Sequence, residues 1–291
     1  MDAREGRSGL FAPTRDRALV LTWVFAGTVA ALVGSKLVTR HWMIDGTTFY
    51  NVWRTTPMYD LPPNTQGAYL YSPLFAQFIE PLTRLPWWQF SALWLAAACV
   101  TYVWLVHPVG WFWAIPLLAL GLEDATIGNT AWLLALACVV GMRWPAAWAI
   151  PILTKLTTGV GLVWFVARRD WRALAIAGGS TAVAAGVSWL VAPQLWVEWF
   201  TFLSNNRNRD VILLVRVALA VGIVWYASLK DRAWLIPVAM YLATPVLMVY
   251  GLGMLAAIPR LLSPSAQAKA REPFGRPSDF ARRVLDLSPR R

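Results

Sequence analysis

Two ionisable side chains lie where long apolar stretches make a charge costly. Asp45 follows the first apolar stretch of the chain, and Lys155 has apolar runs on both sides. Charged groups near membrane depth are rare and usually functional. A carboxylate can accept a proton from a reacting hydroxyl, and an ammonium group can stabilise an anion. The residue types alone also allow that Asp45 is only a polar group at a helix end.

The motifs of soluble enzymes are absent from the chain. It carries no Walker motif, no G-x-S-x-G and no zinc-ligand spacing. The two histidines, His41 and His107, are too few for a metal cluster. Cys99 and Cys138 lie inside apolar runs, which favours reduced core residues over a disulfide. We therefore expect chemistry without a metal or another cofactor, on a substrate that reaches the protein from lipid.

Composition indicates that the chain lives in a membrane. Hydrophobic residues make up 58% of it, charged residues only 14%, and the mean hydropathy is +0.50. A soluble domain carries about a quarter charged residues. Many of the 19 Trp lie near the ends of apolar runs, where indole rings favour the headgroup zone. The net charge of +11 comes from short clusters between apolar stretches, which indicates cytoplasmic loops rather than a nucleic-acid surface.

Hydropathy predicts an all-α integral membrane bundle of about ten helices over residues 18–262. A straight span needs about 20 apolar residues, so the shorter runs must be half-helices, re-entrant pairs or helices that face a water-filled cavity. The stretch 145–167, interrupted at Lys155, is the best candidate for a broken pair. The longer apolar runs are 18–38, 87–106, 172–192, 211–229 and 233–249, and the shorter ones are 109–122, 130–142, 145–153, 158–167 and 251–262.

The basic residues predict which side each loop faces. With the basic segment 1–17 in the cytoplasm, ten crossings place most of the 26 Lys and Arg inside. The basic tail 263–291 is then cytoplasmic, and we expect it to be disordered. Loops that are simply polar would explain some of the external residues equally well, such as Asp60 and Glu80. The residues that fall outside are Asp45, Asp60, Glu80, Glu123, Asp124, Asn129, Lys155, 205–210 and Tyr250.

The first external loop, residues 39–86, is the longest connection between predicted spans. It is rich in aromatic residues and proline, so we expect it to fold against the membrane surface. The segment 47–55 looks helical. The segment 72–83 combines Pro73 in a first turn with an apolar stripe at helical spacing. Both pieces are predicted to be interfacial helices.

Several short motifs occur in an order that is typical of one known family. The first loop contains D-G-T-T-F-Y at 45–50, Y-D at 59–60, Y-S-P at 71–73 and P-L-T-R-L-P at 81–86. Further along are G-N-T-A at 128–131, K-L-T-T at 155–158, R-R-D-W-R-A-L at 168–174, and Pro245 before Tyr250. This order resembles glycosyltransferase family 87, which includes polyprenol-phosphate-mannose-dependent mannosyltransferases with the GT-C fold. The chain departs from the family pattern at Ser72, Asn129, Ala131, Thr158 and Val249.

The resemblance implies a GT-C-like membrane glycosyltransferase in the plasma membrane, with its active site on the external side. It would transfer mannose or another hexose or pentose, with inversion, from a polyprenyl-phosphate donor to a lipid or cell-envelope glycan, with Asp45 as general base. The implied donor-phosphate residues are Lys155, Arg207, Arg209 and Arg54, and the implied substrate-binding residues are Tyr50, Tyr59, Tyr71, Asp124, Gly128, Asn129 and Tyr250. A transporter or flippase of a lipid-linked substrate, or an inactive scaffold of the same fold, remain alternatives.

Overall fold

The computed structural model describes residues 15–38, 42–55, 57–63, 65–206 and 211–271. Within these ranges the chain is helical and has no β-strand. The α-helices are Arg15–Val38 (α1), Ile44–Asn51 (α2), Pro73–Thr83 (α3), Trp87–Val106 (α4), Trp111–Ile127 (α5), Ala131–Arg143 (α6), Ala149–Thr154 (α7), Val163–Ala167 (α8), Trp171–Val191 (α9), Pro193–Asn205 (α10), Val211–Leu229 (α11), Ile236–Leu242 (α12), Ile258–Leu261 (α13) and Pro264–Arg271 (α14). The 3₁₀ segments are His107–Val109, Pro145–Trp148, Leu156–Leu162, Ala233–Leu235 and Val249–Ala257.

Three of the described helices have the length and apolar composition needed to cross a bilayer. They are Trp87–Val109, which extends α4 by one 3₁₀ turn, together with α9 and α11. Their outward side chains are apolar, with Leu190 82% exposed and Ile212 70% exposed. Such helices are stable when lipid covers them. The protein is therefore a helical membrane protein, and the count of ten spans stays a prediction because other apolar helices are 10–17 residues long.

Two buried clusters hold the bundle together, and α6 joins them. The first cluster contains Phe49 of α2 and Trp94 of α4. The second contains Trp148 and Met240. Helix α6 contributes Trp132 to the first cluster and Ala131 to the second. Its N-terminus therefore lies at the junction of the two clusters, where its position is fixed from both sides.

The interrupted helix at Lys155 has the form that the sequence predicts. Helix α7 ends at Thr154, and Lys155 has φ −134° and ψ 88°, outside the helical region. The chain continues as the 3₁₀ segment Leu156–Leu162 and then α8. The predicted interfacial helix 72–83 is also present as α3, with Pro73 in its first turn.

Among the differences from the sequence prediction are two boundaries and one whole helix. The apolar run 233–249 leaves helical structure after Leu242, since a turn precedes Pro245 and the chain stays irregular to Met248. Helix α10 was not predicted; it is held by Trp196, whose indole N–H donates to Ser188 Oγ at 3.0 Å. The helix predicted over 47–55 begins earlier, at Ile44, so Asp45 lies inside it.

Part of the predicted disordered tail is helical. Residues 264–271 form α14, and the Arg271 Nε–H donates to the Pro108 carbonyl oxygen at 2.7 Å. This bond ties α14 to the turn after α4, which the sequence prediction did not anticipate. The rest of the tail, 272–291, and most of the basic segment 1–17 lie outside the described residues.

Candidate active site

Asp45 lies in the first turn of α2, half-buried against the end of α5. The residue before the helix, Met43, has φ 54° and is buried. Its N–H donates to the Thr126 carbonyl oxygen at 2.6 Å. That bond satisfies a carbonyl in the last turn of α5 and fixes where α2 starts. The carboxylate therefore has a defined position, although it belongs to a long loop.

Two glycines allow α2 to approach the turn between α5 and α6. Gly128 ends α5 with φ 75°, the left-handed conformation common at helix C-termini. A Cβ at Gly128 would lie 2.8 Å from the backbone nitrogen of Gly46. A Cβ at Gly46 would in turn meet the Met43 side chain at 2.6 Å. Close backbone packing therefore requires glycine at position 128, and the substrate-binding role predicted for Gly128 stays untested.

Asn129 links Asp45 to Lys155. Its Nδ2 donates to Asp45 Oδ2 at 2.5 Å, and its Oδ1 accepts from Lys155 Nζ at 3.2 Å. The same Oδ1 accepts from the Thr130 backbone N–H at 2.5 Å, which sets the orientation of the amide. One amide group thus separates a carboxylate from an ammonium group. The sequence analysis predicted that all three residues lie on the external side of the membrane. In the structure they form one hydrogen-bonded network.

The network lies below the start of α4. The Trp94 indole N–H donates to the Asn129 carbonyl oxygen at 3.3 Å. Trp94 is seven residues into α4, so at 1.5 Å per residue the network is about 10 Å along that helix from its first residue. The network therefore lies within the bundle, about two turns along α4 from Trp87.

Tyr71 covers Lys155 on the loop side. Lys155 Nζ lies 5.8 Å from the centre of the Tyr71 ring, within the range of cation–π attraction. Burial raises the pKa of the Tyr71 phenol, and the Asp45 carboxylate raises that pKa further. The phenol is therefore neutral at physiological pH, and its hydroxyl is 3.5 Å from Thr130 Oγ1.

Asp124 fixes the start of α6, the helix that follows Asn129. It is fully buried and accepts hydrogen bonds from the Tyr102 hydroxyl at 2.6 Å and from the N–H groups of Ala131 and Trp132 at 3.0 and 3.2 Å. A carboxylate at a helix N-terminus satisfies free N–H groups and the helix dipole. These bonds fix the start of α6, and the substrate-binding role predicted for Asp124 stays untested.

Ser72 is a positioning residue that sequence reasoning missed. Its hydroxyl donates to the Leu153 carbonyl oxygen at 2.5 Å, and the side chain is fully buried. The bond joins the start of α3 to the end of α7, two residues before Lys155. The sequence marked Ser72 only as a departure from the family pattern, and no local signal predicts a partner 81 residues away.

Tyr50 and Arg54 have structural partners. The Tyr50 hydroxyl donates to the Leu85 carbonyl oxygen at 3.1 Å. The Arg54 guanidinium lies over the Tyr50 ring at 4.0 Å, and it donates to the carbonyl oxygens of Tyr50 and Thr83. These bonds hold α2 against the end of α3. The predicted phosphate and substrate contacts of the two residues stay untested.

The remaining predicted residues are distributed around the network. Tyr250 is half-buried at the start of Val249–Ala257 and interacts electrostatically with Asp45 and Asp124. The Tyr59 hydroxyl donates to the Tyr71 carbonyl oxygen at 2.9 Å. Tyr59 also lines a cleft of about 460 Å³ between residues 57–62 and α10. Arg207 and Arg209 lie outside the described residues.

A metal site does not emerge from the described part of the chain. Its residues contain no group of three His, Cys, Asp or Glu that could hold a metal ion. The expectation of a reaction without a metal stays a prediction.

The fold and the site define a class: a helical membrane protein in which one amide side chain joins a carboxylate and a lysine. The model of glycosyltransferase family 87 matches residues 69–272, more than half of the chain, and the protein belongs to that family. The match includes Asn129 and Lys155 and begins after Asp45. No curated protein and no solved structure matches the chain.

Proposed function

We propose that this glycosyltransferase uses a sugar on a polyprenyl phosphate as its donor and works at the external face of the plasma membrane. The acceptor is a hydroxyl of a lipid or a cell-envelope glycan, and the product forms with inversion on a GT-C-type bundle. The observation that carries the proposal is the Asp45–Asn129–Lys155 network, in which one amide orients a carboxylate and an ammonium group. These are the two groups that the transfer step requires.

The transfer step assigns a role to each end of the network. The acceptor oxygen attacks the anomeric carbon while its proton passes to the Asp45 carboxylate. The bond from the anomeric carbon to the phosphate oxygen breaks, and its electron pair leaves with the polyprenyl phosphate. Lys155 stabilises the negative charge on that phosphate. A well-placed general base contributes about 10²–10⁴-fold to the rate.

The surrounding aromatic residues suit an amphiphilic donor. Tyr71 presents a neutral phenol beside Lys155, and Tyr250 is a half-buried residue of the segment Val249–Ala257. Such rings pack on sugar faces and on polyprenyl carbons. In this proposal the positive charges of Arg207 and Arg209 help to bind the donor phosphate.

A transporter or flippase is the second candidate, because α7 is interrupted at Lys155 and the chain is irregular over 243–248. Broken helices that line a polar site are a feature of transporters. The network of base and cation favours chemistry over transport. An assay of transfer in detergent separates the two, since a transporter has no activity without a sealed membrane.

The test is transfer of labelled sugar by the purified full-length protein in detergent, from polyprenyl-phosphate donors to membrane-lipid extracts. We expect label in a lipid or glycan product from the wild type. Lys155→Ala should raise the donor KM at least tenfold, because the ammonium contacts the phosphate before and during transfer. Lys230→Ala removes an exposed lysine after α11 and should leave both constants unchanged. Absence of transfer with every donor would contradict the proposal.

A further inference from the structure

Helix α11 carries a single charged residue, Arg216, inside an otherwise apolar sequence. The helix is one of the three that are long and apolar enough to cross a bilayer. Arg216 is half-buried and lies on the side of α11 that carries the buried Ala220, whereas Leu214 and Leu219 are 68% and 57% exposed. A charged side chain at such a position is costly and usually functional.

The guanidinium of Arg216 is incompletely satisfied. Its Nη2 donates to the Pro245 carbonyl oxygen at 3.0 Å. Its Nε and Nη1 are buried and have no hydrogen-bond partner among the described residues. Within those residues no carboxylate forms an ion pair with it. An unpaired donor on a buried cation is unfavourable, so the ligand-free protein keeps this group ready for an anion.

The surroundings of Arg216 suit the head of a lipid. Arg216 is five residues after Val211, about 7.5 Å along the helix, so its long side chain can extend toward that end of α11. The irregular stretch that begins at Pro245 exposes the apolar side chains of Leu247 and Met248 beside it. The Tyr241 hydroxyl donates to the Met248 carbonyl oxygen at 3.4 Å and ties this irregular stretch to α12. A phosphate at Arg216 would therefore have apolar surface next to it for an acyl or polyprenyl chain.

We propose that Arg216 binds the phosphate group of a membrane lipid, either a polyprenyl phosphate or a phospholipid. The phosphate replaces the Pro245 carbonyl as the partner of the guanidinium, which then donates two parallel N–H bonds. Arginine suits this geometry because its planar fork matches two phosphate oxygens, whereas lysine is a point charge. This site is separate from the Asp45–Asn129–Lys155 network and does not depend on transfer activity.

The test measures lipid binding by native mass spectrometry of the full-length protein in a phosphate-free detergent. The probes are decaprenyl phosphate, phosphatidylglycerol and decaprenol, which has the same tail as the first probe but no phosphate. The variants are Arg216→Met and Arg216→Lys, with Arg84→Met as a control that removes one exposed arginine of the first loop. Thermal unfolding of each variant checks that it is folded.

We expect Arg216→Met to weaken binding of a phosphate lipid at least tenfold and Arg216→Lys to weaken it less. Decaprenol should bind all variants equally, and Arg84→Met should behave as wild type. If only the binding of decaprenyl phosphate depends on Arg216, the site is specific for polyprenyl phosphates. If the binding of phosphatidylglycerol also depends on Arg216, the site binds lipid phosphates in general. Unchanged binding in both Arg216 variants would overturn the proposal. The proposal would also be overturned if Lys155→Ala lost binding of the phosphate lipids while Arg216→Met kept it. If Arg216→Met does not fold, the Arg216→Lys result decides.

Discussion

At the scale of single residues, the site depends on one amide. Asn129 donates to Asp45 and accepts from Lys155, so it holds the two groups apart and orients both. Without the amide, the ammonium and the carboxylate would be free to pair directly. A direct ion pair would occupy both groups before any substrate arrives.

We expect Asn129→Ala to lower kcat/KM by about 10–10²-fold, within the range that positioning contributes. Removing the amide also lets the Lys155 ammonium contact the Asp45 carboxylate directly and stabilise its ionised form, so the acid side of the pH–rate profile should move to lower pH. Steady-state kinetics over a pH series measures both effects. A fall in activity with an unmoved profile would show that Asn129 acts on the fold alone.

Sequence reasoning identified the three residues of the network but not their supports. Asp45, Asn129 and Lys155 stand out because polar residues are rare in apolar surroundings. Ser72 does not stand out, because its role depends on a carbonyl 81 residues away. Asp124 was given a substrate contact because its burial and its bonds to the start of α6 appear only in three dimensions.

At the scale of helices, the approach of α2 to the turn after α5 positions Asp45. Gly128 has φ 75°, and its missing Cβ leaves room for the backbone of Gly46. The contact is between backbones, so a side chain at Gly128 cannot be accommodated by a rotamer change. The turn after α5 therefore requires glycine at position 128.

We expect Gly128→Ala to destabilise the protein by at least about 1–2 kcal/mol, the cost of a left-handed conformation for a residue with a Cβ. Thermal unfolding in detergent measures the change. Gly222→Ala is the control, since a Cβ there meets nothing within 4 Å. Equal stability of the two variants would contradict the packing at Gly128.

Hydrophobic periodicity predicted the helices whose apolar pattern is regular. It did not predict helices or helix ends that depend on tertiary contacts. Helix α3 and the break at Lys155 follow from local sequence, through Pro73 and through polar residues between apolar runs. Helix α10 was missed because its 13 residues are amphipathic and form no continuous apolar run. The run 233–249 was taken as one helix since its composition stays apolar after the chain turns at Pro245.

At the scale of the whole molecule, sidedness rests on the basic residues. Arg168 pairs with Asp231 and bonds to the Ser228 carbonyl oxygen, which ties α8 to the end of α11. The exposed Arg172 follows in the first turn of α9. The positive-inside rule places this cluster in the cytoplasm and Asp60 outside.

We expect a cysteine at position 60 to react with a membrane-impermeant thiol reagent in intact cells. A cysteine in place of Arg172 should react only after the cells are opened. Both variants are made in a background with Cys99 and Cys138 replaced by alanine. Labelling of the Arg172→Cys variant from outside would reverse the topology and remove the external site.

The central claim is that Asp45 is the general base of a sugar transfer. Asp45→Asn keeps the size of the side chain but cannot accept the proton, so we expect kcat to fall by about 10²–10⁴-fold with donor binding nearly unchanged. The measurement is the rate of labelled-sugar transfer from a polyprenyl-phosphate donor by wild type and variant, with donor binding followed separately. Retention of more than about a tenth of the wild-type kcat would contradict the claim, since base catalysis contributes at least about 10²-fold.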